Sequence, residues 1–275
     1  MGTVNRERRM VTHIGEAFRI TSLAVLLGLA PAPAPVLAQA RAGASWVEAG
    51  GFWDHVTNDF GSWKGGYARA VLSGARNVWY LDARVQEAFR DSGVYGSVAN
   101  VHVFSDRFYT MAGIGGGTGD YVLPDLRADA SLNVKLGRTR ALIATAGGTW
   151  LESKDVFRDR AAFGSLTWYG SAEFLVEVGG RINWSDPNAI RSARGSAALT
   201  LGRGGTTLVT LRGSAGTEGY QLTGAETLQQ FKSQEVSLSW RYWISRRIGT
   251  VLGGQWYHNP FYSRTGVTAG VFRAW

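Results

Sequence analysis

The chain has 275 residues and a formal net charge of +8, and it contains no cysteine, which excludes disulfide bonds and thiolate metal sites. Its 37 glycines are close to double the usual share of roughly 7%, and its 11 tryptophans are also an excess. Glycine in strands marks bends and close backbone approaches, and tryptophan collects at membrane interfaces. This composition favours a β-protein that contacts a membrane.

The first 40 residues have the three parts of a cleavable signal peptide. An apolar stretch, 20–29, precedes a small-x-small cleavage site at 38–40. The basic residues before or at the start of that stretch are Arg6, Arg8, Arg9 and Arg19. The stretch is shorter than the roughly 20 residues that span a bilayer. A retained anchor is the alternative, but the proline tract 31–35 interrupts any longer helix. We predict a signal peptide at 1–40, Sec export, and a mature domain at 41–275.

The mature region alternates apolar and polar residues with a period of two, which is typical of β-strands with one apolar face. In the segment 127–136, for example, five apolar residues oppose five polar ones. The predicted strands lie near 46–56, 62–72, 77–88, 94–104, 107–116, 126–136, 139–150, 160–169, 172–184, 192–202, 205–215, 233–244, 248–257 and 263–275. Fourteen is an even number, as expected for a bacterial outer-membrane barrel. Twelve strands is the alternative, because 94–104 and 160–169 alternate imperfectly.

The connections between these strands alternate in length. The longer ones are 115–125, 151–159, 185–191, 216–232 and 258–262. The tight ones are 137–138, 170–171, 203–204 and 245–247. Long extracellular loops and short periplasmic turns predict an all-β, transmembrane, antiparallel up-and-down barrel. A secreted β-sandwich is the alternative, and it is disfavoured because the apolar faces end in aromatic residues, as an interfacial girdle does. These residues are Trp53, Trp79, Trp150, Trp184, Trp240 and Trp275.

The segment 262–275 resembles the signal by which the barrel-assembly machinery recognises its clients. A polar residue, a glycine two positions later and an aromatic terminus match that pattern in Thr268, Gly270 and Trp275. Arg273 departs from it, because an apolar or aromatic residue is usual there. The resemblance implies that this machinery is a partner in insertion.

Four short motifs are similar to those of the YaiO family of outer-membrane β-barrel proteins. They are Trp46-Val47-Glu48-Ala49-Gly50-Gly51, Thr57-Asn58-Asp59-Phe60-Gly61-Ser62-Trp63, Leu123-Pro124-Asp125-Leu126-Arg127 and Gly216-Thr217-Glu218-Gly219-Tyr220-Gln221. The resemblance spans nearly the whole mature region. It implies a barrel in the outer membrane of a Gram-negative bacterium, and it implies no substrate.

The mature region has three histidines, which limits the catalytic sites that are available. His55 and His258 are predicted near the outer ends of strands that become neighbours on closure, where Asp54, Asp59 and Glu218 come near. Rim-exposed or hydrogen-bonded histidines are the simpler interpretation, and His102 is predicted to line the lumen. We therefore predict no enzyme, no metal and no cofactor. A lipid-modifying enzyme that uses His258 and Ser263 is a distant alternative.

Charged residues on the predicted inward faces nearly balance. The cationic candidates for the lumen are Arg84, Arg127, Lys135, Arg181, Arg194, Arg212 and Arg241. The anionic candidates are Asp82, Asp129, Glu177 and Glu235, joined by Glu48 and Glu173. A balanced set is typical of a salt-bridged interior, whereas a selective pore carries one sign of charge. Two hypotheses follow: a channel for small solutes or a glycan, or a plugged structural barrel in which 216–232 acts as a plug or as a partner-binding element.

The net positive charge is concentrated at the predicted periplasmic turns. The arginines there are Arg76, Arg107, Arg138, Arg140, Arg203, Arg246 and Arg247. They are predicted either to dock an acidic partner or to stay solvated. The partners expected for the whole chain are outer-membrane lipids, lipopolysaccharide and a periplasmic or glycan ligand, with no nucleic acid.

Overall fold

A computed structural model describes residues 20–21, 44–120, 122–154, 157–187, 189–222 and 228–275. Fourteen strands form one antiparallel barrel, closed by pairing of the first strand with the last. The strands are β1 (Trp46–Val56), β2 (Ser62–Ser73), β3 (Asn77–Ala88), β4 (Asp91–Val103), β5 (Phe108–Gly117), β6 (Leu126–Leu136), β7 (Leu142–Glu152), β8 (Arg158–Ser171), β9 (Phe174–Asp186), β10 (Ile190–Arg203), β11 (Thr207–Leu222), β12 (Leu228–Trp243), β13 (Ile248–His258) and β14 (Ser263–Ala274). No helix among the described residues is long and apolar enough to cross a membrane.

The predicted strand number is confirmed, and the alternative of twelve is wrong. The imperfectly alternating segments 94–104 and 160–169 form β4 and β8, each paired along its length with both neighbours. The predicted signal peptide lies outside the described residues, except for Ile20 and Thr21, which pair with Leu222 and Gln221 at the end of β11.

Each strand places one set of side chains outward and the other set inward. The outward set is apolar and exposed, with Val85, Ile114 and Val267 each more than half exposed. The inward set carries most of the charged and amide side chains. Both follow from the sequence pattern, because the outer face of such a barrel meets lipid and the inner face meets water or other polar groups.

The two ends of the barrel are distinguished by their connections. The terminal end holds the start of β1, the end of β14 and the turns at 74–76, 104–107, 137–141, 172–173, 204–206 and 244–247. The outer end holds the other seven connections, of which Phe89 and Arg90 form a two-residue turn with φ of 52° and 65°. The prediction of a long loop at 216–232 is wrong. β11 and β12 extend through most of this segment as a paired hairpin, because their backbone hydrogen bonds continue to Gln221 and Leu228.

An aromatic ring packs over glycines at the seam, which is the pairing of β1 with β14. A Cβ atom at Gly50 would lie 2.6 Å from the Tyr67 hydroxyl, and one at Gly270 would lie 2.7 Å from it. Only glycine therefore leaves room for the Tyr67 side chain to lie flat across β1 and β14. The ring compensates for the two missing side chains, as aromatic residues do over glycines in other sheets.

Candidate functional site: the barrel interior

Apart from Glu173, the predicted lumen residues occupy strand positions whose side chains point into the barrel. Several of them contact partners on strands that are not neighbours, which is possible only through the interior. Arg241 on β12 binds Glu48 on β1, and two strands, β13 and β14, separate the two on the wall. Glu173 is different from the prediction, because it lies in the exposed turn between β8 and β9.

Arg194 is the centre of a buried network near the outer end. Its guanidinium pairs with Glu218 and Glu235, and it donates to the Ser214 and Ser233 hydroxyls, each at 2.9 Å. The Tyr257 hydroxyl donates to the second oxygen of Glu218 at 3.0 Å. The Arg194 side chain is 9% exposed and that of Glu218 is 2% exposed. This network connects β10, β11, β12 and β13, and its polar groups are ion-paired or hydrogen-bonded to one another.

A second ionic network lies near the terminal end. Glu48 is buried and pairs with Arg241, whose guanidinium also lies 4.6 Å from the Trp46 ring centroid and 4.4 Å from that of Phe272. Arg69 contacts the other Glu48 oxygen at 4.0 Å and donates to Asp82 Oδ2 at 2.8 Å. The network bridges the seam, because its members come from both sides of the β1–β14 pairing.

The remaining predicted carboxylates also have cationic partners. Arg127 Nε donates to Asp129 Oδ2 at 2.7 Å, and Thr149 donates to the other Asp129 oxygen at 2.8 Å. Arg212 Nη2 lies 3.4 Å from Glu177 Oε1. Most of the balanced charge is therefore held in pairs along the wall.

Three inward cations have no carboxylate within ion-pair distance in the described part of the chain. Arg181 Nε donates to the Asn183 amide oxygen at 2.6 Å, and Lys135 lies 5.8 Å from the Tyr109 ring centroid. The Arg84 guanidinium lies 5.6 Å from the Phe52 ring centroid, and its buried Nε has no hydrogen-bond partner among the described groups. Arg181 interacts electrostatically with Arg127 and, beyond ion-pair distance, with the carboxylates of Asp129 and Asp159.

Aromatic residues fill part of the interior at the outer end. This outer aromatic cluster consists of Val56, Phe60, Trp63, Ala88, Phe89, Val122, Tyr257, Phe261 and Tyr262. The Trp63 and Phe89 ring centroids are 4.6 Å apart. Burial in the cluster raises the pKa of Tyr262 to about 12. Phe231 extends the cluster by contacting Phe261 edge to face. Sequence reasoning placed the other members of the cluster in predicted strands or connections and did not predict that they form a packed core.

The three histidines lie on the outer face. The prediction that His102 lines the lumen is wrong: it pairs in register with Asn77 and Thr110, on the face where Trp79 and Ile114 are exposed. Its Nδ1 is 2.9 Å from the Asn77 amide oxygen. The prediction failed because Val101 and Val103 resemble lipid-facing residues but point inward.

His55 and His258 lie on either side of β14 at the outer end, as the topology predicted. His258 Nδ1 is 2.8 Å from the Ser263 hydroxyl, and its ring stacks on Trp256. Asp54 and Glu218 are buried on the opposite face of the wall. The predicted approach of these carboxylates to the histidines is therefore wrong, because a strand presents successive side chains to opposite faces.

Two residues of the predicted assembly signal lie on one face of β14, and the third follows the strand. Thr268 and Gly270 are at inward-facing positions, and Gly270 lies beneath Tyr67. Trp275 is exposed just beyond the strand, where its backbone N–H donates to Ser45. Arg273 is exposed on the outer face.

The seven turn arginines are all exposed at the terminal end, and we call them the arginine collar: Arg76, Arg107, Arg138, Arg140, Arg203, Arg246 and Arg247. Arg140 pairs with Asp106 at 3.1 Å. Sequence reasoning identified these residues, because tight turns at one end of an up-and-down barrel alternate with connections at the other end.

Comparison with known proteins gives the same fold. The model of the YaiO membrane beta barrel domain matches residues 36–221, and no curated protein sequence matches. The chain is similar to the CymD monoaromatic hydrocarbon channel, with 9% identity, a TM-score of 0.57, and coverage of 88% of this chain and 91% of that one.

Two further solved structures are similar at low identity. The translocator domain of autotransporter NalP from Neisseria meningitidis has 12% identity and a TM-score of 0.53, and covers 94% of this chain and 99% of its own. A bacterial polysaccharide outer membrane secretin has 8% identity and a TM-score of 0.51, with 84% and 99% covered. No group of three or more potential metal ligands occurs among the residues that the structure describes.

Proposed function

Because the chain belongs to the YaiO membrane β-barrel family and has the porin-like fold of an outer-membrane barrel, we propose that it forms a narrow passage for small hydrophilic solutes with a preference for anions. The observation that carries the proposal is the uneven pairing of charge inside the barrel. The carboxylates Asp82, Asp129, Glu177 and Glu235 have cationic partners. Arg84 and Arg181 have no carboxylate within ion-pair distance in the described chain.

The pairing also leaves polar groups accessible inside the barrel. The side chains of Arg69 and Arg212 are 38% and 31% exposed although both face inward. Side chains that are exposed inside a closed wall line space that water can enter. A lumen in which Asp82, Asp129, Glu177 and Glu235 are ion-paired, while Arg84 and Arg181 have no carboxylate within ion-pair distance, favours the entry of anions.

The test is ion selectivity of the refolded mature chain in a planar bilayer under a KCl gradient. We expect discrete channels with an anion-favouring reversal potential. Arg84→Glu/Arg181→Glu should shift that potential toward cation selectivity. The matched control is Arg158→Glu/Lys232→Glu, which makes the same change in charge at the outer rim. Arg241 is unsuitable for this test, because Glu48 and two aromatic rings hold it.

The heat-dependent gel shift of a folded barrel confirms folding of each variant. A folded wild-type protein without conductance would exclude the passage. An unchanged reversal potential in the folded double variant would exclude the role of Arg84 and Arg181.

A plugged structural or interaction barrel is the second candidate, and the outer aromatic cluster favours it. Trp63, Phe89 and Tyr262 pack across the interior next to the Arg194 network, which narrows the outer mouth on the side of the seam. In this case the wild-type protein is silent, and Trp63→Ala/Phe89→Ala opens conductance. A wild-type protein that already conducts, with no change in this variant, would exclude the plug.

A further inference from the structure

We propose that the arginine collar binds the headgroup phosphates of anionic glycerophospholipids in the leaflet at the terminal end. The collar consists of seven exposed arginines. Its arginines occur in or beside five of the six turns at this end. The positive charge therefore surrounds the barrel instead of forming a patch on one side.

The depth of the collar follows from its neighbours along the strands. Ile244 and Ile248, which flank Arg246 and Arg247, are 64% and 50% exposed on the outer face, and Phe104 beside Arg107 is 56% exposed. Apolar side chains with this exposure lie in hydrocarbon. Arginines two or three residues further along lie at headgroup depth, where a long side chain places its charge among phosphates.

Few carboxylates of the protein neutralise the arginines of the collar. The carboxylates described at this rim are Asp106 and Glu173, and of the collar only Arg140 is ion-paired in the described structure. The outer end is different, because three of its cations, Lys64, Lys154 and Arg158, are paired with Glu87, Asp125 and Glu152, while Arg90, Arg191 and Lys232 are exposed there without an ion pair in the described structure. The charge at the terminal end therefore has its counter-ions outside the protein.

The geometry favours lipid over an acidic protein as the source of those counter-ions. A ring around the membrane-facing edge contacts lipid along its full length, whereas a docked protein covers one side. The short turns of such barrels are periplasmic, which places the collar in the leaflet opposite to the loop end. The shared chemistry is a phosphate ester, and the leaflet makes glycerophospholipid the ligand rather than lipopolysaccharide.

The experiment measures the relative affinity of the folded barrel for brominated phosphatidylglycerol and brominated phosphatidylcholine. The probes are mixed vesicles, and the signal is quenching of tryptophan fluorescence. Four exposed tryptophans on or beside the outer face near the collar are natural reporters: Trp79, Trp168, Trp240 and Trp275. Each basic group at a membrane surface contributes about 1 kcal/mol, which is a factor of about five, so we expect at least a fivefold preference for phosphatidylglycerol at low salt.

The variant removes four collar charges through Arg138→Gln, Arg203→Gln, Arg246→Gln and Arg247→Gln. The control removes four charges at the outer end through Lys64→Gln, Arg158→Gln, Arg191→Gln and Lys232→Gln. We expect the collar variant to lose most of the preference and the control to keep it.

Three results would overturn the proposal. They are a wild-type protein without preference, a collar variant that keeps it, and an equal loss in both variants. A wild-type protein without lipid preference would leave an acidic periplasmic protein as the partner of the collar. If the collar variant does not refold, the test is the salt dependence of the lipid preference of the wild-type protein. A preference for phosphatidylglycerol that 0.5 M salt leaves unchanged is not due to the arginines and would overturn the proposal.

Discussion

Arginine has different roles at the two ends of this barrel. Near the outer end Arg194 is buried and surrounded by acceptors from two strands, β11 and β12, so its charge is part of the wall. At the terminal end the collar arginines are exposed, and of these only Arg140 is ion-paired among the described residues. Composition alone would count them together in the net charge of +8. The comparison shows that burial and pairing decide whether a charge stabilises the fold or remains available to a ligand.

The outer end also differs in its packing, and the largest expected effect tests this. Trp63→Ala removes a fully buried ring from the outer aromatic cluster, which should lower the free energy of unfolding by about 4 kcal/mol. The measurement is urea-induced unfolding in detergent or vesicles. Trp53→Ala is the control, because that ring is half exposed on the outer face. Equal losses in the two variants would show that the cluster is not a core.

The second prediction compares a buried ion pair with an exposed one. Glu218→Ala leaves Arg194 without its closest carboxylate, and we expect a loss of about 3 kcal/mol in unfolding free energy. The control is Glu87→Ala, which breaks the exposed pair with Lys64 and should cost less than about 1 kcal/mol. Similar costs for the two would contradict the distinction between structural and available charges.

The third prediction concerns the seam beneath Tyr67. Gly270→Ala places a methyl group 2.7 Å from the Tyr67 hydroxyl, which should cost about 2 kcal/mol by overpacking. In Tyr67→Phe the hydroxyl is absent, so the added methyl group should cost less there. A double-mutant cycle with Tyr67→Phe isolates the contact with the hydroxyl, because the 2.9 Å approach of the added methyl group to the Ala49 carbonyl oxygen is the same in both backgrounds. A cost of Gly270→Ala that is equal with and without the hydroxyl would contradict the packing of Tyr67 over Gly270.

The smallest effect is expected for the collar. Arg203→Gln and Arg246→Gln remove exposed side chains, so each should change the unfolding free energy by less than about 0.5 kcal/mol. The measurement is urea-induced unfolding of each variant in a zwitterionic detergent. A large destabilisation there would mean that the collar supports the fold directly.

The strands could be predicted from the sequence because a membrane barrel imposes a different solvent on each face. The alternation of polar and apolar residues in 127–136 reflects this constraint, and the structure places β6 at Leu126–Leu136. The alternation is reversed locally at the terminal rim. Val101 points inward and His102 outward at the terminal rim, where an outward polar residue meets water and headgroups.

The partners inside the barrel could not be predicted from the sequence. Glu48 and Arg241 are 193 positions apart, and only the stagger of the strands brings them together. Likewise the segment 216–232 has the polar and glycine residues of a loop. Its extension as strands depends on the pairing of each side of the hairpin with the other, which local propensity does not specify.

The seam has a consequence for the order in which the barrel forms. Among the fourteen barrel strands, every other pairing joins strands that are neighbours in the chain, so hairpins can form locally, but the β1–β14 pairing joins residues such as Gly51 and Ala269. Closing so long a loop carries the greatest entropic cost of any pairing in the sheet. Because the chain has no cysteine, a disulfide between Gly51→Cys and Ala269→Cys would report this closing step without background from other thiols.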